Sequence, residues 1–190
     1  ALTTLQRRLA SSPEAIYQSL KRRHERLEQR LQDIKIGRRP SRPAEDVWDG
    51  IVEDDDDLNA LEQEDLEELL VDDASASTTT GELEGEILVL QALMQKARNL
   101  LNSEKDKKWE ELSLILQNNP SMRNSDGRMR KLIIFSEHRD TLNYLKNKII
   151  GVVGNPNAVV AIHGGVQRDE RRKIQEMFRA DPEVRVLIAT

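Results

Sequence analysis

Three short apolar runs in the last sixty residues each end in a polar tip, and these tips are where this chain would handle a ligand. Residues 131–135 lead to Ser136, residues 158–162 lead to His163-Gly164-Gly165, and residues 184–189 lead to Thr190. Hydroxyls, an imidazole and glycine amides are donors suited to binding, with no paired acid and base among them. Other candidates are weaker. Glu53, Asp54, Asp55, Asp56 and Asp57 form an acid run. Four consecutive aspartates cannot all point inward, and no loop geometry is imposed on them, so they do not read as a calcium-type site. His24 and His138 stand alone, with no second histidine nearby in sequence. No G-x-x-x-x-G-K-[ST] phosphate loop occurs, and no apolar strand ends in an acidic pair for Mg²⁺. No Ser-His-Asp order or carboxylate dyad with supporting context occurs either. Catalytic and metal-ligating residues are therefore expected to be absent from this stretch of chain.

The tips must be positioned by the runs that precede them. Each run has five or six residues rich in Ile and Val and lies beside a turn or helix start. Such runs suit strands covered on both faces, as in a parallel sheet. The segments between them are long enough for crossover helices, so the unit reads β-α-β-α-β with right-handed connections. Ligands of such sheets bind at the carboxyl ends of the strands, which is where Ser136, His163 to Gly165 and Thr190 fall.

Composition narrows the classes. There is no cysteine, which excludes disulfides, thiolate zinc sites and a cysteine nucleophile and fits a reducing compartment. No apolar run approaches the roughly 18 residues of a membrane span, and Arg7 and Arg8 precede polar sequence rather than a signal-peptide core. The expectation is a cytoplasmic protein with no membrane partner. The net charge of −5 conceals a segregation: residues 43–95 carry 18 of the 34 acidic residues and no Lys or Arg, leaving 29 basic against 16 acidic residues elsewhere. A basic body with an acidic insert is compatible with a polyanion partner such as nucleic acid; two ordinary solvated surfaces are the alternative.

In chain order, residues 1–37 form a basic helical segment. Leu2, Leu5 and Leu9 lead in at helical spacing, Ser11 with Pro13 and Glu14 marks a helix start, and Gly37 a stop. Ile16, Leu20, Leu27, Leu31 and Ile34 form the apolar stripe, while Lys21, Arg22, Arg23, Arg26 and Arg30 occupy the other faces. That helix either lies along a phosphate backbone or packs on a core with a solvated outer face. Pro40 and Pro43 break it, and residues 38–81 read as an acidic, low-complexity, disordered linker. Within it Leu58, Leu61, Leu66, Leu69 and Leu70 would form an amphipathic piece on a partner. Residues 82–120 read as an antiparallel helical pair completed by the helix of residues 13–36: a seam of Leu83, Ile87, Leu90, Met94, Ala97 and Leu101, then a helix opened by Ser103 and Asp106 and carrying Trp109, Leu112, Ile115 and Leu116. Residues 121–190 begin turn-rich and continue into the β-α-β-α-β unit.

Residues 131–142 resemble motif IV of superfamily-two helicases. Ile162-His163-Gly164-Gly165 with Arg171 and Phe178 resembles the HG…R…F block that follows, and residues 186–190 resemble the opening of motif V. The helical segments are similar to the region before the second lobe of Swi/Snf-like, bacterial RapA-like ATPases. Three motifs in order with matching spacing carry the resemblance over residues 131–190, and it is looser over 1–36 and 82–118. Where many relatives have glutamine three residues before the arginine, this chain has Arg168. The resemblance implies an α/β fold in which N-terminal helical segments pack with a truncated RecA-like three-stranded parallel unit. It implies contacts from Ser136, His163, Gly164, Gly165, Arg171 and Thr190 to a nucleic-acid backbone. Glycines admit close approach of backbone amides to phosphate, and hydroxyls donate without base preference.

The expected function is that of part of an ATP-dependent DNA helicase or translocase acting on double-stranded DNA. ATP and Mg²⁺ would serve the longer enzyme, whose first RecA-like lobe would be a partner of this part. Without the phosphate loop, the Mg²⁺-binding acids and the arginine-rich motif VI, no cofactor site and no hydrolysis are expected of this stretch alone. The alternative is a helical protein-interaction module whose acidic insert binds or masks basic surfaces.

Overall fold

The computed structural model describes residues 2–38, 69–71, 79–103 and 105–190. They fall in two compact units, Ala1–Ser103 and Glu104–Thr190. Pro40, Pro43, the acid run at Asp54 to Asp57 and most of the acidic segment lie outside the described residues; residues 69–71 are helical.

The first unit contains α1 (Leu2–Ser11), α2 (Pro13–Lys35) and α3 (Thr80–Asn102). Proline at the first helical position fixes where α2 starts, so its cap is the residue just before it. That residue is Ser12, whose side chain accepts the Ala15 N–H at 3.0 Å; Ser11, expected as the cap, instead ends α1. Gly37 at φ 71° terminates α2, donating its N–H to the Ile34 carbonyl at 3.1 Å. A capping box opens α3: the Thr79 hydroxyl accepts the Glu82 N–H while the Glu82 carboxylate accepts the Thr79 N–H, each at 3.3 Å. The stripes read from sequence are the packed faces. Ile16, Leu20 and Leu27 are buried with Leu83, Ile87, Leu90 and Ala97, and Leu31, Ile34 and Met94 flank them.

Part of the basic face of α2 is engaged inside this unit. Arg23 is buried and donates through Nε, at 3.0 Å, and through Nη2 to Glu86 of α3. Lys35 pairs with Glu84 at 2.8 Å, and Lys21 lies 3.8 Å from Glu25 one turn on. Arg22, Arg26 and Arg30 are also engaged. His24 is buried, its Nδ1 3.5 Å from Glu28. The apolar stripe of this helix packs on α3, and one arginine of its basic face is buried in that packing.

The second unit contains α4 (Lys107–Asn118), β1 (Leu132–Phe135), α5 (Arg139–Val153), β2 (Val159–Ile162), α6 (Arg168–Ala180) and β3 (Val186–Ala189). The helices expected to pair over residues 82–120 thus fall in different units. Ser103 caps the C-terminus of α3, and Asp106 alone opens α4 by accepting the Trp109 N–H at 3.1 Å. The other Asp106 oxygen accepts the Tyr144 hydroxyl of α5 at 3.0 Å, and Trp109, Leu112 and Leu116 pack with Leu142 and Ile149. A polar, turn-rich stretch follows α4, held by Asn124 Oδ1, which accepts the Asp126 and Arg128 amides, and by Gly127 at φ 74°.

The three strands are parallel, as the α/β reading requires, and their order is β1-β3-β2. Side chains alternate between the two faces of the sheet. Leu132, Ile134, Val159, Ala161, Val186 and Ile188 pack with α5 and α4 on one face. Val160, Ile162, Leu187 and Ala189 pack with Phe178 and Ile174 of α6 on the other. Leu142, Ile149, Val186 and Ile188 are fully buried, a burial worth about 2 kcal/mol each. Central β3 is covered on both faces. Edge strand β1 is not: Ile133 and Phe135 are 47% and 79% exposed, because among the described residues α6 covers only β2 and β3 on that side. Lys131, just before β1, ties the sheet to the end of α6. Its Nζ donates to the carbonyls of Phe178, Arg179 at 3.2 Å and Asp181 at 2.8 Å, and lies 5.3 Å from the Phe178 ring centre. A cation there complements the helix C-terminus.

Candidate functional site

The strand register brings the polar tips together. Phe135, Ala189 and Ile162 stand opposite one another at the last rung of the sheet. The ladder continues one step beyond: the Ser136 N–H donates to the Ala189 carbonyl at 2.9 Å, and the Thr190 N–H to the Ile162 carbonyl at 3.1 Å. Ser136, Thr190 and His163 are thus the next residues of three neighbouring strands, with Thr190 in the middle. At the usual strand spacing of about 4.8 Å, the outer two stand about 10 Å apart. These residues share one edge because parallel strands all point the same way.

The local chemistry differs at each tip. Thr190 is exposed and Ser136 half-buried. The Ser136 hydroxyl lies 3.3 Å from the His138 carbonyl, to which it donates. His163 begins a tight turn in which its carbonyl accepts the Val166 N–H at 3.0 Å and its Nδ1 accepts the Gly165 N–H at 3.2 Å. The left-handed glycines fall elsewhere, at Gly37, Gly127 and Gly154. Arg171 is exposed in the first turn of α6, its N–H donating to the Gln167 carbonyl. His138, buried at the start of α5, contributes a helix cap residue and packing.

Charges on the neighbouring helices bear on His163. The His163 pKa is held below the ordinary 6.5, first by burial, then by the Arg139 charge, with Lys146 and Arg171 acting in the same sense and Glu170 opposing. Three cations from two helices thus act in one sense on this imidazole. Sequence reasoning singled out Arg171 and missed Arg139 and Lys146. A signal for them existed, since a spacing of seven places both on one face of a helix that starts at a strand tip. Helices α5 and α6 also begin at this edge without a side-chain cap hydrogen bond, whereas Ser12, Thr79 and Asp106 supply one to α2, α3 and α4. Their N-terminal amides and dipoles add positive potential, tempered by Asp140, Asp169 and Glu170 in the first turns. The arrangement holds donors and positive charge, and suits an oxyanion rather than bond-making chemistry.

Among the described residues no group of three or more His, Cys, Asp or Glu side chains would hold a metal ion, and no helix is long and apolar enough to cross a membrane. No curated protein and no solved structure gave a match. Residues 107–190, which make up nearly all of the second unit, match the profile of the helicase conserved C-terminal domain, and the match supports a helicase C-terminal domain in that part of the chain.

Proposed function

We propose that the second unit grips the sugar-phosphate backbone of nucleic acid as part of the second motor lobe of an ATP-dependent helicase or translocase. The observation that supports this best is the shared edge of Ser136, His163 and Thr190, with the charges of Arg139, Lys146 and Arg171 acting on His163. Amide and hydroxyl donors contact phosphate and sugar without reading sequence, and cations supply the salt-dependent part of affinity. Gly164, Gly165 and Arg171 extend the same surface. Duplex DNA is the substrate we assign, and the Swi/Snf-like, bacterial RapA-like branch is the relationship, on the strength of the motif order over residues 131–190.

In this reading ATP and Mg²⁺ belong to the longer enzyme and to a partner lobe. The donor set here does not fit a magnesium nucleotide by itself, since the sequence has no G-x-x-x-x-G-K-[ST] loop and the described residues form no metal-ligating cluster. A cytoplasmic location goes with the same proposal.

Fluorescence anisotropy of a short labelled duplex, titrated with the chain at several salt concentrations, tests it. Arg171→Gln is expected to weaken binding severalfold and to lower the salt slope by about one. Absence of binding at low salt, or a slope unchanged in the variant, refutes the assignment. A shortened chain without residues 44–80 addresses the masking alternative. Tighter binding and a steeper slope on deletion favour an acidic segment that competes for the basic surface.

A further inference from the structure

The imidazole of His163 and the amide it holds face each other in a way that phosphate binding cannot leave unchanged. The Gly165 N–H, one of the donors expected to meet a backbone phosphate, is already taken by His163 Nδ1 at 3.2 Å. A backbone N–H can only donate, so Nδ1 is the acceptor and must be unprotonated in this arrangement. The surroundings favour that state: His163 is half-buried, Arg139 and Lys146 of α5 and Arg171 of α6 repel a proton on it, and Glu170 of α6 is the opposing carboxylate.

We propose that His163 is a proton-operated clasp on the glycine turn. Neutral, it occupies the Gly165 amide; protonated at Nδ1, it releases that amide, and both N–H groups then donate to one phosphate oxygen. The proton comes from solvent and is returned when the phosphate leaves. Two donors at one corner of the turn, with Arg139 and Arg171 beside them, favour an oxyanion that carries its own negative charge. This rests on the nucleic-acid reading for the identity of the phosphate, and it adds that gripping is coupled to proton uptake.

By linkage, a phosphate that binds the protonated form better raises the His163 pKa, and affinity rises by up to tenfold per unit fall in pH across the window between the free and bound pKa values. The measurement uses the whole 190-residue chain labelled with ¹⁵N. Ring-nitrogen and Gly165 amide resonances are followed against pH without ligand, with inorganic sulfate (an oxyanion that does not titrate in this range), and with a short DNA duplex.

The expected result is an unprotonated Nδ1 in the free chain, a Gly165 amide that shifts as His163 protonates, and a midpoint that sulfate and duplex both raise. His163→Asn keeps a side-chain acceptor for the Gly165 amide but cannot titrate, and should hold duplex affinity at the weak, high-pH level of the parent at every pH. Duplex binding whose affinity and midpoint ignore pH, or a His163→Asn chain that keeps the wild-type pH dependence, overturns the clasp and leaves the nucleic-acid reading standing. A midpoint raised by sulfate with no duplex binding at any pH does the reverse: the clasp holds and the nucleic-acid reading falls. A midpoint unmoved by either ligand overturns the clasp.

Discussion

Severing the Arg23–Glu86 pair tests whether the arginine-rich helix serves the fold or a polyanion. The Arg23 side chain is 8% exposed and that of Glu86 21%, so both charges are largely withdrawn from water where they meet. Glu86→Leu would take from a buried guanidinium the carboxylate oxygen that it reaches through two nitrogens. Breaking a buried pair from one side costs about 3–5 kcal/mol. The residual exposure of Glu86 lets water in and places this case at the lower end, at about 3 kcal/mol. Replacing both, as Arg23→Met with Glu86→Leu, removes charge and counter-charge together. Net stability should then return to within about 1 kcal/mol of the starting protein, because a well-packed apolar pair substitutes for a desolvated ionic one. The assay is urea denaturation of four proteins followed by far-UV circular dichroism. The diagnostic quantity is the coupling energy of the cycle. A double variant that costs the sum of the two singles means that the pair is not coupled, and the structural role assigned to Arg23 is then wrong. Duplex affinity provides the second reading: the double variant should bind DNA as the parent does, and a loss that tracks the missing arginine returns this helix to the polyanion-binding surface.

Two further outcomes follow from the second unit. Asp106→Ala removes both the cap of α4 and the acceptor of the Tyr144 hydroxyl, and should lower stability by about 2 kcal/mol, with Tyr144→Phe accounting for the smaller share; Trp109 fluorescence in urea reads both. Because the His163 pKa is depressed in the folded chain, the unfolded state binds more protons between that value and 6.5. The stability contributed is therefore complete above pH 6.5 and is lost as pH falls through the folded-state pKa, and His163→Asn should flatten this part of the pH–stability curve.

Much of the architecture is written locally. Pro13 and Gly37 bound α2 because a proline cannot sit inside a helix and a glycine takes φ 71° readily. The seams of α2 and α3 are legible because helical spacing places Leu20, Leu27, Leu83 and Leu90 on single faces whatever they pack against. The three strands are legible from runs of β-branched residues, and their shared direction follows from connections long enough for helices. That alone is enough to place Ser136, His163 and Thr190 at the same end of a sheet.

Other features depend on residues far apart in the chain. Which tip stands in the middle is a matter of strand order, and β3 lies between β1 and β2 because of sheet packing that no local signal records. The exposure of Phe135 arises the same way: its run looks as buried as the others, but burial depends on where α6 crosses. The packing of α2 on α3 was legible, but the partner of α4 was not, since an apolar stripe says which face is covered and not by what. The positive setting of His163 needed Arg139 and Lys146 from one helix and Arg171 from another, and charges add through space rather than along the sequence. Residue types and their spacing determined the elements and the chemical character of the tips; tertiary packing decided which tips are neighbours, which charges they feel, and that the Gly165 amide is already held.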